Sequence, residues 1–310
     1  MLGLCCQFLI EKTKRSGQKV FVNGMEEKSL QLGRFKSGRY TDEYIKNIYV
    51  NNTKNLANML PIIHQSGIHH FRISSSLFPL ADQVDRLLWD NDDVKSHLTR
   101  AGDFIAANNM RITTHPGQFC VLSSDSDSVI AKSIVDLDIH AWMFDSMNLA
   151  KNSKYAINIH GGKKDRSGRL IETIKSLSEN VRSRLTVEND EFSYSLRSLL
   201  SVHEATGVSL VFDSHHHRLF DDNLSMDDAF DLACQTWEDG IKPLQHISNS
   251  IIGMENGTIT YRRKHSDMIR YVPKRQLIAL KENAVDIEVE AKMKNIAITN
   301  MVKDFSINLS

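Results

Sequence analysis

Short apolar or β-branched runs recur along this chain, separated by longer helical patterns, and most of them end on a side chain that can bind a metal. The runs are Leu2–Ile10, His69–Ser74, Arg111–His115, Tyr155–His160, Leu185–Glu188, Ser209–Asp213, Pro243–His246 and Val285–Glu290. Between them apolar residues return at helical spacing, as at Tyr44, Val50, Leu56, Met59 and Leu60, or at Ile130, Ile134, Leu137, Ala141, Phe144 and Met147. Ser193–Ala205 and Ser225–Glu238 each open on Ser, a favourable N-cap. Such alternation predicts an α/β fold, a (β/α)8 TIM barrel, with residues 1–310 forming one domain. An open doubly wound sheet has similar periodicity, but no glycine-rich dinucleotide loop follows the first run.

The strand ends carry the chemistry. His115, His160, Glu188, Asp213, His246 and Glu290 close six consecutive runs. In a barrel these ends converge on one face, where active sites are built. A single His at a strand end is more often a satisfied core residue than a ligand, but six in order favour a metal site. His216 lies three residues beyond Asp213, with His215 and His217 as equal candidates beside it. His265 follows Arg262-Arg263-Lys264 and alone reads as a surface residue. The 13 His and only 4 Cys point the same way. Cys5 and Cys6 are adjacent and Cys120 and Cys234 isolated, so no thiolate zinc site or disulfide framework is expected. Imidazole and carboxylate ligands suit Mn, Zn or Fe. Eight candidates exceed the needs of one ion, so two or three divalent metals are expected, with Glu188 as the natural bridge.

The ordered motifs resemble the UV damage endonuclease (UvdE) family, and more distantly endonuclease IV. They are Phe71-Arg72-Ile73-Ser74-Ser75, Thr114-His115-Pro116-Gly117-Gln118-Phe119, Asn158-Ile159-His160-Gly161-Gly162-Lys163 and Thr186-Val187-Glu188-Asn189-Asp190. Val211-Phe212-Asp213-Ser214-His215-His216, His246-Ile247-Ser248, Lys264-His265-Ser266-Asp267 and Glu290-Ala291-Lys292-Met293-Lys294 continue the series. The resemblance implies a TIM barrel with a three-metal cluster, Mn first, on a DNA-binding face. His115, His160 and Glu188 would hold one ion; Glu188, Asp213, His246 and Glu290 a second; His216 and His265 a third. It selects His216 from its run and Glu290 over Glu288. It also implies nicking immediately 5′ to a photodimer or other distorting lesion, leaving a 3′-hydroxyl and a 5′-phosphate. Gln118 and Phe119 would then wedge into the duplex, as an amide and a ring at a loop tip can fill the gap left by unstacked nucleotides. Phe119 stands for the family's usual Tyr, Leu244 for a Lys that can be carboxylated, and Leu4-Cys5-Cys6 lacks the Tyr often found after Gly3.

The 38 Lys plus Arg cancel the 38 Asp plus Glu, which excludes binding of nucleic acid by bulk attraction but not by a local surface. Lys12, Lys14, Arg15, Lys19, Lys28, Arg34, Lys36 and Arg39 crowd the long loop after the first run. Lys163, Lys164, Arg166 and Arg169, and then Arg262, Arg263 and Lys264, lie in later connections on the same predicted face, as a phosphate track would. Arg72 can hold a phosphate or pair with an acidic ligand. Damaged double-stranded DNA is therefore the expected partner, with no obligatory protein partner. The apolar start, Met1 to Ile10, is too short for a membrane span and lacks signal-peptide features, so a buried strand in a cytoplasmic protein is expected. Competing readings are an abasic-site endonuclease, a xylose-isomerase-like sugar isomerase or epimerase, and a noncatalytic damaged-DNA binder with structural metals.

Overall fold

The computed structural model describes residues 1–307. Ten strands form in chain order: β1 (Leu2–Cys5), β2 (Leu9–Thr13), β3 (Lys19–Asn23), β4 (His70–Ile73), β5 (Arg111–Thr114), β6 (Ile157–His160), β7 (Leu185–Glu188), β8 (Ser209–Asp213), β9 (Leu244–Ile247) and β10 (Asp286–Val289). Eight of them, all but β2 and β3, close a parallel barrel in which β1 lies between β10 and β4. The fold is the expected (β/α)8 barrel. Its strands alternate by the pleat. Phe71, Ile112, Ile159, Val187, Phe212 and Ile287 join the main apolar core. The intervening residues, among them Arg72, Thr113, Asn158, Glu188 and Glu288, meet one another inside the barrel. Gly3 belongs to that inner face, where a Cβ would stand 2.7 Å from the His70 ring.

Helices Asp42–Gln65, Asp92–Ala107, Asp127–Ser146, Leu196–Thr206, Met226–Gln235 and Lys294–Asp304 are among those between and after the strands. Thr41, Asn91, Ser195 and Ser225 cap four of them by accepting a backbone N–H. Ser195, rather than Ser193, is the cap of its helix. In Asp42–Gln65 the buried face runs through Ile45, Leu56, Met59 and Leu60, while Tyr44 points to solvent.

Two expectations need correction. The apolar start is not one strand, because Cys6 adopts φ 66, a left-handed conformation that breaks extended pairing. The chain then turns into the antiparallel β2–β3 hairpin, which occupies part of what reads as a long loop. The hairpin root is fixed where Leu9 N–H donates to Asn295 Oδ1 at 2.7 Å and Asn295 Nδ2 donates to the Leu9 carbonyl at 3.1 Å. No helix among the described residues is long and apolar enough to cross a membrane.

Candidate active site

Strand register brings the ligand candidates together. His160 pairs with Glu188 across β6 and β7, and Asp213 with His246 across β8 and β9. Above them opens a cleft of about 320 Å³ lined by Cys6, Arg72, Ser75, His115, His160, Glu188, His216, His265 and Glu290. Asp213 and His246 lie deeper and are fully buried.

Glu188 is the hub. Its Oε2 stands 3.3 Å from His115 Nε2 and 3.1 Å from His246 Nδ1, and its Oε1 stands 3.3 Å from His216 Nδ1. Asn158 Nδ2 donates to Oε2 at 2.6 Å and fixes the carboxylate. His115 Nδ1 donates to the Pro116 carbonyl at 3.0 Å, which leaves Nε2 to face Glu188. Asp213 is aimed by the backbone: its Oδ1 accepts from His215 N at 2.6 Å and His216 N at 2.8 Å, capping the short helix Ser214–Leu219. Its Oδ2 is buried without a partner.

Two ligand sets lie within 4.8 Å of mutual reach, His115–His160–Glu188 and Glu188–Asp213–His216. Glu188 is common to both. The second set places His216 with Asp213, whereas the resemblance paired it with His265. His265 instead has Nδ1 3.6 Å from Glu290 Oε2 and its ring 5.7 Å from that of His215. Glu290 Oε1 stands 3.6 Å from His246 Nδ1. Of the other two histidines in the run, His217 bonds the Leu224 carbonyl at 3.1 Å through Nε2, and both nitrogens of His215 are buried without partners.

Electrostatics favour cations here. Burial alone would raise the Glu188 carboxyl, but His246 and His160 hold it well below its ordinary value. Burial likewise opposes charge on His216 and His246, yet Asp213 and Glu188 drive the first, and Glu188 and Glu288 the second, well above the usual imidazole range. A field that holds protons on buried imidazoles also attracts divalent ions. The donor chemistry fits such ions as well: His160 Nδ1, His246 Nδ1 and Asp213 Oδ2 are buried polar atoms with no hydrogen-bond partner.

The remaining candidates divide. Arg72 faces the cleft but is already engaged, Nη1 donating to Glu290 at 2.5 Å and to Glu288 at 3.0 Å. Gln118 is exposed and Phe119 is 83% exposed on the loop after β5. Lys163 is exposed but ion-paired with Asp125, which also pairs with Arg166, while Arg169 pairs with Asp127. These cations therefore already share acidic partners from a neighbouring loop. Sequence reasoning missed Cys6 as a site residue and passed over Glu288 in favour of Glu290. Cys6 enters the cleft wall through its left-handed turn, with its N–H donating to the Arg72 carbonyl at 2.8 Å. Glu288 is fully buried against His70, Arg72, Thr113 and His246. The alternation Asp286, Glu288, Glu290 on one face of β10 was the signal that could have found it.

The chain is similar to known proteins. A UV DNA damage endonuclease of Nostoc sp. is 36% identical over 263 residues, covering 83% of this chain and 78% of that protein. The crystal structure of SacUVDE superposes with a TM-score of 0.78 at 27% identity, covering 99% of both chains. Endonuclease IV from Thermus thermophilus shares the fold alone, with a TM-score of 0.59 at 14% identity over 82% of this chain and 94% of that one. The family model for UV-endonuclease UvdE matches residues 19–309, which removes the sugar-isomerase reading. The chain belongs to the UvdE family and is an endonuclease of DNA repair.

Proposed function

We propose that this endonuclease nicks one DNA strand immediately 5′ to UV photoproducts and other distorting lesions, leaving a 3′-hydroxyl and a 5′-phosphate. The observation that carries the reading is Glu188, shared by two ligand sets in a cleft that His115 also lines, with the exposed ring of Phe119 farther along the same loop after β5. His115, His160, Glu188, Asp213, His216, His246, His265 and Glu290 would hold two or three divalent ions, Mn ahead of Zn or Fe. Such ions, when bound, activate water and neutralise charge on the attacking and leaving oxygens. Glu188, Asp213, His246 and Glu290 form the catalytic core of this set.

The chain's own groups supply the rest. Asn158 and the helix-capping backbone hold Glu188 and Asp213 in place, so little reorganisation is left for the reaction. Arg72 sits in the cleft wall, where a guanidinium can hold a phosphate oxygen. Phe119 presents its ring to solvent, and a turn in which Cys120 N–H donates to the Gly117 carbonyl at 2.9 Å shapes its loop. The ring can fill the gap in a duplex whose damaged step stacks poorly, while Gln118 meets exposed base edges. Lys163 can exchange Asp125 for a phosphate. Lys12, Lys14 and Arg15, exposed on the hairpin and its turn, add cationic surface.

The test is a labelled duplex carrying one photodimer, incubated with Mn or with EDTA, and the break mapped. Incision 5′ to the lesion that depends on metal is expected. No such incision would sink the reading, and a break only at an abasic site would favour the abasic-site endonuclease.

A further inference from the structure

Glu288 lies beneath the cleft, outside its lining, and is fully buried. A buried carboxylate is costly unless its lone pairs are satisfied. Here groups from three other strands converge on it. Arg72 Nη1 donates to Oε2 at 3.0 Å, His70 Nε2 stands 3.1 Å from Oε1, and the Thr113 hydroxyl donates to Oε1. The fourth neighbour is His246, whose Nε2 stands 3.0 Å from Oε2. The opposite nitrogen of that ring, Nδ1, faces Glu188 Oε2 at 3.1 Å and Glu290 Oε1 at 3.6 Å.

This geometry gives the two nitrogens of His246 different duties. The carboxylate 3.0 Å from Nε2 favours the proton at that nitrogen by its charge, so an ion displacing the proton on Nδ1 would meet a lone pair directed into the ligand cluster. A ligating histidine is ordinarily oriented by such a partner on its other nitrogen. Arg72 is shared between Glu288 and Glu290. If Glu290 turns to an ion, Glu288 still holds the guanidinium at the cleft wall.

We propose that Glu288 is a positioning residue of the metal centre: it fixes His246 with Nδ1 toward the ions and anchors Arg72 for the phosphate. This rests on the reading of the cluster as a metal centre. The choice of Glu290 as the ligand of β10 stands, and Glu288 acts through its neighbours.

The test is Mn²⁺ binding by the full-length protein, followed by the electron paramagnetic resonance signal of free Mn²⁺, with circular dichroism melts to verify folding. Glu288→Gln keeps the shape and removes the charge. Its affinity for at least one ion should fall by roughly 10- to 100-fold. Added Mn²⁺ should restore the nicking rate, while KM for the duplex stays raised because Arg72 is less firmly held. A purely structural role would lower the melting temperature and leave Mn²⁺ affinity intact, and that result overturns the inference. Should Glu288→Gln not fold, Thr113→Val decides: it removes one donor to Glu288 and keeps the carboxylate. A smaller loss of Mn²⁺ affinity is then expected, and unchanged affinity overturns the proposal. A parent protein that binds no divalent ion would overturn the metal-centre reading and this inference with it. A parent that binds Mn²⁺ and a folded Glu288→Gln that binds it equally would overturn this inference alone.

Discussion

At the start of β5, Arg111 donates to the carbonyls of Lys154, Lys242 and Ser153 and to Asp286 Oδ2, the last at 2.9 Å. At the opposite end of the barrel, His246 has neither ring nitrogen in an aligned hydrogen bond, and Asp213 keeps one bare oxygen. Both ends bury ionisable groups, and both lie within a few residues of each other along β9 and β10. The lower set is closed on itself and joins strand to strand. The upper set is open to a cleft and crowds Glu188, Glu288 and Glu290 together, with Arg72 shared between the last two. Buried charge stabilises only when its partners are complete, so the lower end serves the fold and the upper end serves a ligand.

Glu188→Gln probes this contrast hardest. Nicking should fall below detection while binding to damaged duplex largely persists, measured by gel cleavage and a mobility shift. Without added metal the variant should melt near the parent temperature, because His216 and His246 can shed the protons that Glu188 helps to hold on them. A clear fall in that melting temperature would mean that both ends hold the fold alike.

Arg111→Met strikes the other end. It leaves Asp286 buried with less compensation and should cost roughly 3–5 kcal/mol in urea denaturation, with Mn²⁺ stoichiometry unchanged. Acid should act at the same place. Burial alone would raise the Asp286 carboxyl, but Arg111 and the Met1 amino group lower it to about 2. The stabilisation is therefore complete above the unfolded value, roughly 4, and is lost as pH falls through about 2. Wild type should lose roughly 2 kcal/mol across that window, and Arg111→Met distinctly less. Equal pH slopes would detach Asp286 from Arg111.

Phe119→Ala should have the smallest effect on the fold, since the ring is 83% exposed. Stability should stay within about 0.5 kcal/mol of the parent. Preference for damaged over intact duplex should fall on the order of tenfold, as loss of one stacking contact predicts. A fold-destabilised variant would place the ring in the structure rather than on the substrate face.

Much of the barrel is legible from sequence because strand ends that carry His115, His160, Glu188, Asp213, His246 and Glu290 each follow an apolar run that has to be buried. Periodicity says nothing about a single residue that turns left-handed, so the break at Cys6 and its entry into the cleft were not visible. The hairpin was hidden for a different reason: it lies outside the barrel, buries none of its strand residues, and is surrounded by cations that read as a loop, although Val20-Phe21-Val22 in β3 was a strand signal. Glu288 and Glu290 share one inward face, and only depth distinguishes the residue below the cleft from the one at its wall. Charge counts along the chain likewise missed Asp125 and Asp127, which reach across from another connection to pair with Lys163 and Arg169.

Asp213 has one further consequence. Because two amides of the following turn hold its Oδ1, the direction of Oδ2 is decided when the chain folds. On the proposed reading, an arriving ion would meet this donor with its rotamer search already finished. The pace of capture at that oxygen would then be set by the ion's own loss of water, and the helix start at Ser214 acts as the jig that holds the carboxylate still.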